Sequence, residues 1–186
     1  MNFRLGLREG FADGWKVACK TGTIGAGLAD GACIFTLRYP AAATKRFYIQ
    51  RINLHFICIV SFATPVTAGR SLGLFRHPGA DFTGGAAIAP VRGKSDFAGT
   101  LPAGRIATTA ALTASGTFET APLALLALSH AGSSGADYDE TWRWIGNEAD
   151  PLILNPGEMI GLNAVGAFDA AGTWQLTIKA DGAEAP

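Results

Sequence analysis

The chain has 186 residues, of which 48% are hydrophobic and 16% charged, with 24 Gly and 9 Pro. That is enough chain for one domain with a full core, and it excludes wholesale disorder. The formal net charge is +0, but ten basic and three acidic side chains lie through Arg76, against five basic and twelve acidic from His77 onward. Charge is sparse compared with the roughly 25% of ordinary soluble domains, which suits a surface packed against neighbours. The opposed halves either neutralise each other within one fold or steer one subunit onto another.

Residues 1–31 read as an N-terminal arm. Arg4, Arg8, Lys16 and Lys20 are interleaved with Phe3, Leu5, Leu7, Phe11 and Trp15, and glycine recurs throughout. Trp15 to Cys19 has the pattern of a short strand, and the TGTIGAGLADG that follows reads as flexible loop. Its glycines at 22, 25 and 27 do not have the order of a dinucleotide loop, and no Lys-Ser/Thr pair follows to make a phosphate loop. Four cations spread over this length make too thin a footprint for nucleic acid. The same alternation of cations and aromatics suits docking onto an acidic protein surface.

Residues 32–186 read as a single β-sandwich domain. Ala32 to Tyr39 is a strand stopped by Pro40. Arg46 to Phe62, RFYIQRINLHFICIVSF, contains no Gly or Pro and is rich in β-branched and aromatic residues, as a half-buried pleated surface requires. Its alternation puts Tyr48, Gln50, Ile52, Leu54, Phe56, Cys58, Val60 and Phe62 on one face, with Arg51, Asn53 and His55 on the other. So long a strand predicts a bend or bulge near its middle. Ser71 to Arg76 and Arg105 to Thr113 follow as strands, and LALLAL after Pro122 reads as a buried strand.

Thr141 to Ile145 places Trp142 and Trp144 on one face and Arg143 on the other. Asn155-Pro156-Gly157-Glu158 predicts a tight turn. It leads into a strand from Met159 to Val165. Thr173 to Ala180 alternates cleanly, Trp174, Leu176, Ile178 and Ala180 inward, and the residues beyond it are expected to fray. Roughly eight to ten short strands with no repeat and no sustained helical period make an antiparallel sandwich.

Catalytic constellations are poorly supplied. The three histidines, His55, His77 and His130, come from distant segments with no HxH or HxD pair to seed a metal site. Adjacent Ser129 and His130 would point to opposite faces of a strand, so they do not make a nucleophile and its base. Carboxylates at Asp137, Asp139, Glu140, Glu148, Asp150 and Glu158 surround Trp142 and Trp144. They could line a sugar platform or simply face water around buried indoles. Cys19, Cys33 and Cys58 show no zinc spacing and fit a reducing compartment. No apolar run has the length of a signal sequence core or a membrane span, so the expectation is a soluble protein made inside the cell.

The segments RFYIQRINLHF, LGLFR, DETWRW, PLILNPGEMIGLNA and TWQLTIKA together resemble jelly-roll structural proteins of tailed phages, the capsid decoration (cement) and spike subunits among them. The resemblance spans Arg38 to Ala180 and omits the arm. It implies a jelly-roll sandwich acting as a homotrimer on the capsid surface of the virion, with terminal segments gripping the major capsid protein. It implies no catalytic residues, cofactor, metal or membrane contact, and no direct nucleic-acid contact. Arg4, Arg8, Trp15, Lys16, Lys20, Trp142, Arg143 and Trp144 are the expected partner-binding residues. The rival expectations are a tail or fibre component binding receptor glycans through Trp142 and Trp144, and a cupin-like metalloenzyme.

Overall fold

The computed structural model describes residues 14–25, 27–62, 70–78, 81–93, 99–114, 118–128, 139–145, 152–168 and 171–185; within 139–145, Arg143 is the one side chain described. Its strands in chain order are β1 (Gly14–Lys20), β2 (Cys33–Arg38), β3 (Arg46–Val60), β4 (Arg70–His77), β5 (Phe82–Thr83), β6 (Ala86–Ile88) and β7 (Val91–Arg92). They continue as β8 (Ala103–Ile106), β9 (Thr113–Ala114), β10 (Ala124–Leu128), β11 (Asp139–Ile145), β12 (Leu152–Leu154), β13 (Met159–Val165) and β14 (Thr173–Ala185). Two six-stranded antiparallel sheets carry the fold. Sheet A runs β11-β3-β14-β1-β7, with β12 also on β3, and sheet B runs β10-β4-β13-β2-β8-β6. They pack face to face as a β-sandwich. A two-stranded ribbon of β5 and β9 lies beside them.

Strand β3 spans 15 residues, and its pairing with β14 shifts register twice, at Ile59 and at Gln50, toward the two ends of the strand and not at its middle. Arg51 pairs with Asp181 and Ile49 with Gly182, so Gln50 is the extra residue. An unpaired residue reverses the alternation. Phe47 and Ile49 therefore point inward with Ile52, Leu54, Phe56 and Cys58, all at 1% exposure or less. Tyr48 and Gln50, which strict alternation puts on that inward face, lie off it, only partly buried.

The largest departure from the sequence reading is at the N-terminal side. Residues 14–31 are not an arm beside the sandwich but part of it. β1 pairs with β14 along its whole length, from Gly14 opposite Ala183 to Lys20 opposite Thr177. Ile24 makes a further bridge to Trp174, and Ile24 and Leu28 are buried. The reason is apolar alternation: Trp15 and Val17 are buried while Lys16, Ala18 and Lys20 are exposed. Residues 1–13, with Arg4 and Arg8, lie outside the described residues. At the other end β14 does not fray after Ala180 but pairs on to Ala185 opposite Arg46.

Between the sheets runs a column of rings. Trp15 stacks on Phe47 at 4.7 Å, and Phe47 on Tyr39 at 4.8 Å. Further along, Trp174 contacts Phe56 at 5.4 Å and Phe168 at 5.6 Å. The Asn155–Glu158 turn closes as its sequence predicts. Glu158 N–H donates to Asn155 O at 3.0 Å, and Gly157 takes φ of 90°, a conformation that glycine tolerates. Gly157 N–H also donates to Tyr39 O at 3.0 Å, tying the turn to the end of β2.

Burial also sets an alkaline limit. It pushes the thiols of Cys19 and Cys33 up to about 12 from 9.0. Burial, with the hydrogen bond to the Glu184 carboxylate at 2.6 Å and that carboxylate's charge, raises the Tyr39 phenol as well. Unfolded thiols lose their protons first, so the unfolded state gains stability as pH rises above 9. We expect the urea midpoint to fall between pH 9 and about 12, and to fall less steeply in a C19A/C33A variant. Equal slopes for the two proteins would contradict this assignment.

Candidate functional site

The outward face of sheet A gathers charges that are scattered in the sequence. In an antiparallel sheet, directly opposed residues point to the same side. One row across it runs Lys16, Asp181, Arg51; the next runs Ala18, Lys179, Asn53, Arg143; the third runs Lys20, Thr177, His55. Lys16, Lys20, Lys179 and Arg143 are exposed, and the Arg51 side chain is 41% exposed. At about 4.8 Å between strands, β1 to β11 covers roughly 14 Å. Five cations stand on that small area.

Among the described side chains, Asp181 is the carboxylate on this face. It accepts a hydrogen bond from Arg51 Nε at 2.7 Å, so among the described side chains the lysines and Arg143 set the sign of the charge. Asn53, Thr177 and Gln175 fill the space between them with neutral polar groups, all partly buried. Such a face attracts an acidic surface over a distance of about one Debye length and holds it with hydrogen bonds on contact.

Of the residues expected to meet a partner, Lys16, Lys20 and Arg143 come together here. Trp15 does not. It is fully buried on the opposite side of β1 and belongs to the core, which corrects its assignment as a docking residue. Trp142 and Trp144 stand opposite the buried Leu54 and Ile52 in the register of β11 with β3; their side chains lie outside the described residues. Arg51 and Lys179 complete the face, and only the pairing of β14 with β3 and β1 reveals that they do. Both were visible as outward positions of their own strands.

The histidines are held apart. His55 sits on the outward face of sheet A, in the row with Thr177. His77 is buried on the far side of sheet B, edge-on to Phe118 at 4.8 Å and to Phe82 at 5.9 Å. The sandwich interior separates them. His130 lies outside the described residues. Among the described residues, no group of three His, Cys, Asp or Glu side chains is arranged to hold a metal ion.

No known protein-family model matches the chain, and no curated protein matches it. What the geometry defines is a β-sandwich with a cationic outer face.

Proposed function

We propose that this protein is a structural subunit of a virus particle, a capsid decoration protein that seats the cationic face of sheet A on the shell. Strand order carries the reading. The eight principal strands lie as β1-β14-β3-β11 in one sheet and β2-β13-β4-β10 in the other. The chain changes sheet at each step except from β4 to β10. We read this order as a jelly roll, an architecture of viral capsid proteins, lectins and cupins. Within that set, function rests with the site and not the fold. His55 and His77 on opposite outer sides do not suit a cupin centre, and charges spread over four strands suit a broad partner better than a small ligand.

In this reading the work is mechanical. Each subunit lays a four-strand face across a seam between capsid subunits, and a standard interface covers about 800 Å² per partner. Three subunits joined as a trimer multiply that contact and add avidity. Lys16, Lys20, Lys179 and Arg143 supply orientation and rapid encounter, since rim charges act mainly on association.

The test is occupancy of empty capsids of the encoding virus by the full chain and by a K16E/K20E/K179E variant. We expect the wild type to co-sediment with capsids and release as salt rises. The variant should lose occupancy by at least about tenfold while keeping its unfolding midpoint, because exposed substitutions cost little stability. Undiminished occupancy would remove the docking face from the proposal. A native mass spectrum showing monomer alone would remove the trimer.

A further inference from the structure

Where β10, β4 and β13 run side by side, the outer side of sheet B has the opposite chemistry to the outer side of sheet A. Register places Ala127, Ser71 and Val165 in one outward row, Leu125, Gly73 and Asn163 in the next, and Phe75 with Gly161 in a third. None of these residues carries a charge. A Cβ at Gly73 would stand 2.4 Å from the Phe75 ring and 2.9 Å from Val165 Cγ2, so both side chains lie over the strand and make its surface apolar. Farther along β4, His77 is buried against Phe82 and Phe118.

Leu123 and Leu125 form a ridge at the margin of this patch, 42% and 53% exposed. Next to the ridge, between the 118–122 segment and the 30–33 turn, opens a cleft of about 560 Å³ whose walls include Phe75, Phe118, Pro122 and Val165. The carboxylates that line it, Asp30 and Glu119, are exposed, as is Thr120, so they keep their water when the apolar walls are covered.

β10 is also the end strand of sheet B. Edge strands are ordinarily protected by charge, proline or shortness. β6 and β7 span three and two residues, and β11 carries Asp139, Glu140 and Arg143. β10, with the sequence ALLAL, has no such protection.

A ridge and a cleft side by side on one uncharged patch are what a two-fold contact requires. In such a contact residue i meets j and j meets i, so each copy supplies one ridge and one cleft. A charged patch opposes itself across a two-fold axis, because like charges are brought together; this patch does not. A small apolar ligand would fill the cleft and leave Leu123 and Leu125 in water, whereas a second copy covers both.

We propose that this face is a two-fold contact between two copies of the chain, with Leu123 and Leu125 of each seated in the cleft of the other against Phe75 and Phe118. The contact leaves the outer face of sheet A free, and it is separate from the capsid docking and the three-fold contact proposed above. Three strands and the length of β10 cover roughly 14 Å by 16 Å. That is well below the about 800 Å² per partner of a standard interface, so the pairing is reversible and depends on concentration.

The experiment is sedimentation velocity of the full-length protein over a range of concentrations, at low and high salt. We expect a reversible doubling step, monomer to dimer or trimer to hexamer, that persists as salt rises, because an apolar contact is not screened. L123E/L125E should weaken the step at least about tenfold, as loss of two leucines from a buried contact implies. Both positions are exposed, so its unfolding midpoint should hold. K16E/K20E/K179E should keep the step, which separates it from docking through sheet A. Mixed L125E and T120K proteins should pair with each other more tightly than L125E pairs with itself, since the new carboxylate of one meets the new ammonium in the cleft of the other. A wild type with no doubling step at any concentration would overturn the proposal. So would a step that dissolves in high salt, that K16E/K20E/K179E abolishes, or that L123E/L125E leaves unchanged. No preference in the mixture would refute the seating of ridge in cleft.

Discussion

Trp15→Ala should destabilise the protein by about 3–5 kcal/mol, the range for truncating a buried large aromatic. Trp15 is fully buried and stacks on Phe47 at 4.7 Å. Its removal strips one face of Phe47 of its ring partner and loosens β1, whose apolar anchors are Trp15 and Val17. Trp15→Phe should cost much less, because it keeps a ring on Phe47. It also deletes an indole N–H that is buried without a partner. Urea unfolding of the three proteins measures this directly. A Trp15→Ala protein as stable as the wild type would mean that β1 is an appendage after all.

Gly182→Ala should cost about 3 kcal/mol, the upper end of ordinary overpacking. Gly182 pairs with Trp15 on β1 and with Ile49 on β3, beside the bulge. A Cβ there would stand 2.1 Å from the Tyr48 carbonyl oxygen and 2.8 Å from Trp15 Cζ2. The indole can shift; the carbonyl belongs to the β3–β14 ladder and cannot move without disturbing it. The double variant with Trp15→Ala discriminates between the two obstacles. We expect Gly182→Ala to remain destabilising in that background, because the Tyr48 oxygen is still there. Full relief by Trp15→Ala would make the ring the sole obstacle and refute the backbone argument.

These two residues also show where the sequence stops being readable. Alternation along β3, β13 and β14 is local, and it exposes most of the inward residues of those strands without any knowledge of partners. The need for a bulge follows from the length of β3. Its position does not, because Gln50 becomes the extra residue only when Asp181 and Gly182 take their places on β14. Trp15 looks like an arm residue because lysines and glycines follow it. The strand that buries it is formed more than 150 residues later.

The same holds for function. Lys16, Lys20 and Arg143 stand out as candidates one at a time, but Lys179 and Arg51 join them only through register. The cleft is less legible still. Phe75, Phe118 and Val165 come from three separate segments, and nothing in their spacing marks them as neighbours. The closure of Phe75 and Val165 over Gly73 is a property of packing alone.

The place of β14 in sheet A has a consequence for synthesis. It lies between β1 and β3 and pairs with both. On the ribosome, β1 and β3 are therefore finished long before the strand that joins them exists. Until residues 173–185 emerge, both carry open edges, and β3 is the longest strand among the described residues. Open edges of that kind recruit other chains, and a fold whose closing pairs are so distant in sequence forms slowly. Nascent copies translated side by side on one messenger are thus most exposed to one another just before completion, and a chaperone that shields β3 would act in that interval.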